Sequence, residues 1–438
     1  MPSADAAALT ALGVREAAAR VRDGKISPVE LVDACLARIR ALDSRVLAWA
    51  HVDEAGARAE AQALELEARR GQVRGPLHGV PVGIKDIIHV AGMPTTGGAR
   101  AWAHTRPTAD APVVSRLRRA GAVVVGKTHT TEFAYRDPAP TRNPWNLAHT
   151  PGGSSAGSGA AVGARMVPLA LGTQTVGSIL RPAAYCGVVG LKATHGLTPA
   201  AGVIPLAWSL DHVGVLTRSV DDAALTLGIL AGRELTAAPR GAPTIAIARE
   251  LVDHAEPETA AHVRAVAEAL ARAGARLVEV TLPPSFVGLH DVGVTVLQAE
   301  TATYHAADFA VHGAEFGAGI RSAVEAGLRL SAVDYVRANR SRLEFRDAVM
   351  PLLEAHDALL SPTAFGPAPA GLASTGDAWF CAPWSSAGVP AITLPSGVAA
   401  SGLPLAVQLV GAAGRETPLL GVAKWCEGVL AFSAAPSL

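Results

Sequence analysis

Apolar positions along this chain recur with two different periods, and the switch between them marks its organisation. Over the first 70 residues the spacing is helical: Ser27, Pro28 and Glu30 form a capping-box signature ahead of LVDACLARIRAL, and EAGARAEAQALELEARR follows with helical composition. Residues 1–70 are therefore expected to be a helical region packed outside the core. From PVGIKDIIHV to GAVVVGK the apolar residues gather into short runs bounded by Gly and Pro, which predicts strands, with VVSRLRRAG as a helix between them. DDAALTLGILAG predicts another helix. A strand, a capped helix and a strand succeed one another from PTIAIARE through PETAAHVRAVAEALARAGARLVEVTLP. Residues 285–345 read as mainly helical, and LSPTAFGPAPAGLASTGDAWFCAPWSSAG reads as a long loop of the kind that covers a pocket. With no internal repeat and no low-complexity linker, the pattern predicts one large α/β unit.

Composition narrows what such a unit can do. Half of the 438 residues are apolar and 17% are charged, material for a large core in which abundant alanine favours close helix packing. Acidic and basic residues number 38 each, so no net field attracts a polyanion and no nucleic-acid partner is expected. No apolar run reaches the roughly 18 residues of a membrane span, and MPSADAAALTALGVRE lacks a basic segment followed by a leader core. A soluble, unexported, cytoplasmic protein is expected. Cys35, Cys186, Cys381 and Cys426 lie far apart and need no disulfide, which fits a reducing compartment. The 14 histidines form no HExxH, and no phosphate loop or GxGxxG after a strand is present, so neither metal nor cofactor is expected. His305 and His312 are read as surface or packing residues.

The candidate chemistry lies between Ala148 and Ala193, where Ser154 and Ser178 stand in separate glycine-rich turns. A hydroxyl flanked by glycines has backbone N–H groups beside it, as needed to hold an oxyanion while oxygen attacks a carbonyl. A serine needs a base to take its proton. Lys85, inside HGVPVGIKDIIHV, is a candidate because apolar surroundings push an ammonium toward the neutral amine. Only five of the 38 basic residues are lysines, so this one is not explained by solubility; a lysine snorkelling from a strand end is the competing reading. GSSAG at residues 153–157 also matches GxSxG, which would make Ser155 the nucleophile of a strand–turn–helix elbow. The preceding RNPWNLAHTP contains Pro144 and Pro151 and does not read as a strand, and no histidine follows His356. No SxxK motif occurs.

GVPVGIKD, GKTHTTEFA, PGGSSAGSGAAV, GTQTVGSILRPAAYCGVVGLKAT, LLSPT, AGVPAITLP and LPLAVQLVG, in this order, resemble the amidase signature family over nearly the whole chain. The resemblance implies a single catalytic domain over residues 1–438, a three-layer α/β/α fold with a large mixed central sheet, and residues 285–345 as the variable part that shapes the substrate pocket. It also implies roles. Ser178 would be the nucleophile, Ser154 would follow Gly153 through a cis peptide and relay the proton, and neutral Lys85 would be base and then acid. The N–H groups of Thr175, Val176, Gly177 and Ser178 would form the oxyanion hole. Three departures stand out: Gln174 replaces an acid and Val176 a glycine, Arg181 sits one place later, and in WSSAGVPA an Asn is expected in place of Ser385 or a neighbour. Val176 would fit poorly if its position required a positive φ. Trp208, Tyr304 and Trp379 are candidates for lining the pocket or packing the core.

The expected activity is cleavage of a carbon–nitrogen bond in a small amide through a serine acyl-enzyme, with esters and carbamates as further substrates. A glutaminase-type subunit of a tRNA-dependent amidotransferase is the second reading, and an inactive binding protein of the same fold the third. A homodimer is compatible with the resemblance.

Overall fold

In the computed structural model, residues 4–238 and 241–438 are described; the helical expectation for residues 1–3 lies outside them. Eleven strands of the described residues form one sheet. They are β1 (Trp49–Val52), β2 (Pro81–Lys85), β3 (Val123–Thr128), β4 (Leu169–Gln174), β5 (Val189–Lys192), β6 (His212–Thr217), β7 (Thr244–Ala248), β8 (Arg276–Val280), β9 (Ala358–Pro362), β10 (Ala391–Val398) and β11 (Pro404–Val410). Their order is β1-β3-β2-β4-β6-β5-β10-β11-β9-β7-β8. Parallel pairs join β3 to β2 to β4 and β9 to β7 to β8, while the middle of the sheet is antiparallel. The sheet is therefore mixed.

Strands β2, β3, β4, β6, β9 and β11 are buried at every residue, and only the edges β1 and β8 carry exposed positions among the shorter strands. Burial on both faces follows from helices on both faces, which gives three layers. On one side, Val82, Ile84, Leu169, Leu171, Val213 and Val215 pack with the helices Pro112–Arg119, Val220–Ala231 and Pro257–Arg272. On the other, Val123, Val125 and Ala170 meet the helices Pro28–Val46, Glu54–Arg69 and Ala156–Gly163.

The helix over Pro28–Val46 starts as its sequence dictates: the Ser27 side chain accepts from Glu30 N, and the Glu30 carboxylate accepts from Ser27 N. The helix Pro257–Arg272 opens on its proline, but no side chain caps it. One local expectation is corrected. Residues 1–70 are not helical throughout, because Trp49–Val52 joins the sheet edge antiparallel to β3. After the turn that carries Ser154, Ala156–Gly163 is a helix, buried at every residue. Tertiary closeness explains this choice: a Cβ at Gly157 would drive into the Ala48 carbonyl, and one at Gly172 on β4 would stand 2.8 Å from Ser155 Oγ. Glycine there lets a helix lie flat against the strands, and that close packing overrides its poor helix propensity.

Candidate active site

Side chains alternate across a strand, so Val82 and Ile84 of β2 enter one layer while Gly83 and Lys85 face the other, the layer of helix Ala156–Gly163. Lys85 is fully buried, which removes the snorkelling alternative. Its Nζ donates to Ser154 Oγ at 2.6 Å and to Thr173 Oγ1 at 2.8 Å, with the Thr173 carbonyl at 3.4 Å. Burial holds its pKa well below the usual lysine value, and the carboxylate of Asp211 opposes that shift only in part. Bonded to hydroxyls and a carbonyl, with no ion pair, the amine is set up to be neutral.

Ser154 is buried and follows Gly153 through a cis peptide. Arg181 fixes this turn by donating from Nη2 to the Gly153 carbonyl at 2.7 Å and to Thr375 Oγ1 at 3.1 Å, and from Nη1 to the Gly376 carbonyl at 2.7 Å. Ser178, 8% exposed, opens onto a cavity of about 450 Å³. The turns carrying the two serines are tied together by a bond from Ser155 N to the Ser178 carbonyl, 3.2 Å. Ser155 itself is buried, with its Oγ bonded to Thr173 backbone atoms, and no strand precedes it. The nucleophile-elbow geometry is thus absent here.

Thr175, Val176, Gly177 and Ser178 all line the cavity. Among the described residues the N–H groups of Val176, Gly177 and Ser178 donate to no protein acceptor. The Gly177 carbonyl accepts from Arg181 N at 2.9 Å. In a planar trans peptide C=O and N–H point in opposite directions, so that bond turns the Ser178 N–H the other way. Val176 is not among the residues of positive φ, so its β-branched side chain fits without strain and narrows the cavity. Gln174 is fully buried and does not line the cavity.

The rim comes from distant segments. His290, Val294 and Leu297 belong to the helix Leu289–His312, and residues 373–378 to the loop after β9. Arg136 and Asp377 add one exposed charge of each sign. None of Trp208, Tyr304 and Trp379 lines this cavity. Trp208 and Tyr304 form an edge-to-face pair at 6.2 Å, and Trp379 packs on Phe286, Phe365 and Phe380.

Two residues that sequence reasoning passed over join the site. Thr173 holds Lys85, and Asp211 accepts from Thr175 Oγ1 at 2.5 Å and from Leu206 N and Ala207 N at 2.9 and 3.0 Å. Burial raises the Asp211 carboxyl to about 6, with those donors opposing the shift. Among the described residues, no group of three or more His, Cys, Asp or Glu side chains could hold a metal ion, and no helix is long and apolar enough to cross a membrane. The four cysteines are buried and unpaired; His305 packs among Phe133, Tyr304 and Phe316, and His312 lies at the surface near Glu315.

A buried lysine bonded to one serine, with a second serine opening onto a cavity, fits a hydrolase, and comparison with known proteins identifies the family. The Amidase family model matches residues 30–420. A glutamyl-tRNA(Gln) amidotransferase subunit of Anaeromyxobacter sp. (strain K) is 37% identical over 99% of both chains. An amidase of Pseudomonas putida is 38% identical, covering 81% of this chain and 80% of its own. A solved amidase structure superposes with a TM-score of 0.89 at 35% identity, covering 95% of this chain and 99% of its own. The chain belongs to the amidase family, and it is an enzyme that hydrolyses carbon–nitrogen bonds.

Proposed function

We propose that the chain, acting over residues 1–438 as a single catalytic domain, hydrolyses small amides through a Ser178 acyl-enzyme. The observation that carries this reading is the 2.6 Å bond between Ser154 Oγ and the Nζ of Lys85, whose pKa burial holds well below the usual lysine value. Lys85 draws a proton from Ser154 as Ser154 draws one from Ser178, and Ser178 Oγ bonds to the amide carbon. The oxyanion is met by the N–H groups of residues 175–178, where each donor of this kind contributes about 3–4 kcal/mol. The proton returns from Lys85 through Ser154 to the leaving nitrogen, and the C–N bond breaks. A water then takes the place of the leaving group: its proton passes through Ser154 to Lys85 as its oxygen joins the acyl carbon, and that proton returns through Ser154 to Ser178 Oγ as the acyl C–O bond breaks and the acid leaves. Neither metal nor cofactor takes part in this scheme.

Esters and carbamates fit the same attack, a carbamate giving a carbamoyl-serine. The second reading, a glutaminase-type subunit, is favoured by the name of the relatives that share the chain's full length. Assaying the purified chain on simple amides and on glutamine separates the two, since a subunit lacking its partners would turn over neither well. Ser178→Ala tests the central step. Amide turnover is expected to fall by about 10³-fold or more, with no acylated serine detectable by mass; a variant as active as the parent would overturn the assignment. A cytoplasmic location remains part of the proposal.

A further inference from the structure

Gln174 and Ser385, which lie in two runs where the resemblance to the family is imperfect, are 211 residues apart in sequence and in contact. Gln174 Nε2 donates to Ser385 Oγ at 3.0 Å and to the Val176 carbonyl at 3.1 Å. The Ser385 hydroxyl donates to that same carbonyl at 2.7 Å. On its other side, Gln174 Oε1 accepts from Ile179 N at 2.9 Å and Leu180 N at 3.0 Å, the first free N–H groups of the short helix that follows Ser178. Both side chains are buried, at 0% and 1% exposure.

A glutamine can make all of these contacts because its amide both donates and accepts; a carboxylate at the same place could serve Ile179 and Leu180 but could not donate to Val176. Two donors on the Val176 carbonyl matter because the Gly177 N–H shares its peptide plane and points the opposite way. With the carbonyl drawn toward Gln174 and Ser385, outside the cavity lining, the N–H of Gly177 is turned toward the cavity that Gly177 lines.

We infer that Gln174 and Ser385 are a paired positioning device that aims the Gly177 N–H at the developing oxyanion. The inference rests on the acyl-enzyme reading above. Its force appears in the transition state, where charge accumulates on the oxygen, and little in ground-state binding. Neither side chain touches substrate.

The test measures kcat and KM on one amide substrate for Gln174→Glu, Ser385→Ala and Ser385→Thr, with Ser178→Ala alongside. Gln174→Glu keeps the shape and the acceptor oxygen but loses the donor when ionised, so kcat should fall by about 100-fold with KM little changed. The ratio of its kcat to the parent's should drop further as pH rises, because only the protonated carboxyl can donate to Val176. The ratio is read on the plateau above each protein's own acid limb, so that a Lys85 titration displaced by the added carboxylate does not enter it. Ser385→Ala removes one donor and should lower kcat by about tenfold. Ser385→Thr keeps the hydroxyl and should stay near the parent. Unchanged kcat in both Gln174→Glu and Ser385→Ala, a loss confined to KM, or Ser385→Thr as impaired as Ser385→Ala would overturn the inference. Should Gln174→Glu not fold, the Ser385 pair decides alone. With Ser178→Ala inert, such results sink the positioning device only; an active Ser178→Ala sinks the acyl-enzyme reading and the device with it.

Discussion

Lys85 at the end of β2 and Lys127 in the neighbouring β3 are both completely hidden from water, yet they are surrounded in opposite ways. Lys127 has a carboxylate, Asp86 Oδ1 at 3.0 Å, together with Thr95 Oγ1 at 2.7 Å and the Pro94 carbonyl at 2.9 Å. Burial lowers its pKa, and Asp86, its partner in a buried ion pair, opposes that shift. Lys85 meets hydroxyls in place of a carboxylate, and nothing at hydrogen-bond distance compensates a charge there. One lysine thus ties strands to a loop, and the other is the one proposed to exchange a proton. Burial alone does not make a base; burial without a counter-charge does.

Replacing each lysine in turn is the sharpest way to break this contrast. Lys85→Met should lower turnover by about 10³-fold or more, since base and acid are lost together, while the protein folds with undiminished stability in a denaturant titration. Turnover that persists unchanged across pH 6–9 would remove Lys85 from the reaction. Lys127→Met should do the reverse, costing about 3–5 kcal/mol of stability because Asp86 is left as an uncompensated buried charge. A denaturation midpoint equal to the parent's would show that the pair is not what holds that region. Asp211→Asn probes the finer balance. In the parent the Asp211 carboxylate favours the ammonium form of Lys85, so its removal lowers the lysine pKa further. In the proposed scheme the active form is neutral and is lost as pH falls through that pKa, so the acid limb of the kcat/KM profile should move to lower pH. A shift in the other direction would contradict the electrostatic role of Asp211.

How much of this was legible in the letters depends on whether the signal was local. The box at Ser27 and Glu30 fixed a helix start because its partners are three residues apart. Lys85, Ser154 and Ser178 could be nominated because each sits in a recognisable run, and the structure brings the first two into contact. Trp49–Val52 escaped notice because four residues at an edge carry no clear alternation, and only pairing with β3 makes them a strand. Ala156–Gly163 was hidden by its three glycines, whose purpose is visible only once the Ala48 carbonyl is beside them. Thr173 and Asp211 gave no signal, because what recruits them is the arrangement of neighbouring strands. Gln174 and Ser385 were noticed separately as departures, but single positions cannot reveal that two changes touch.

The lining of the cavity includes residues 290–297 and 373–378, whereas Lys85 on β2 and Thr173 on β4 lie outside that lining. On the proposed function, appetite and chemistry are then written on different stretches of chain. Exchanging the rim segments would change which molecules are admitted while leaving the machinery beneath them as it was, so one scaffold can be retailored to new diets without relearning how to cut.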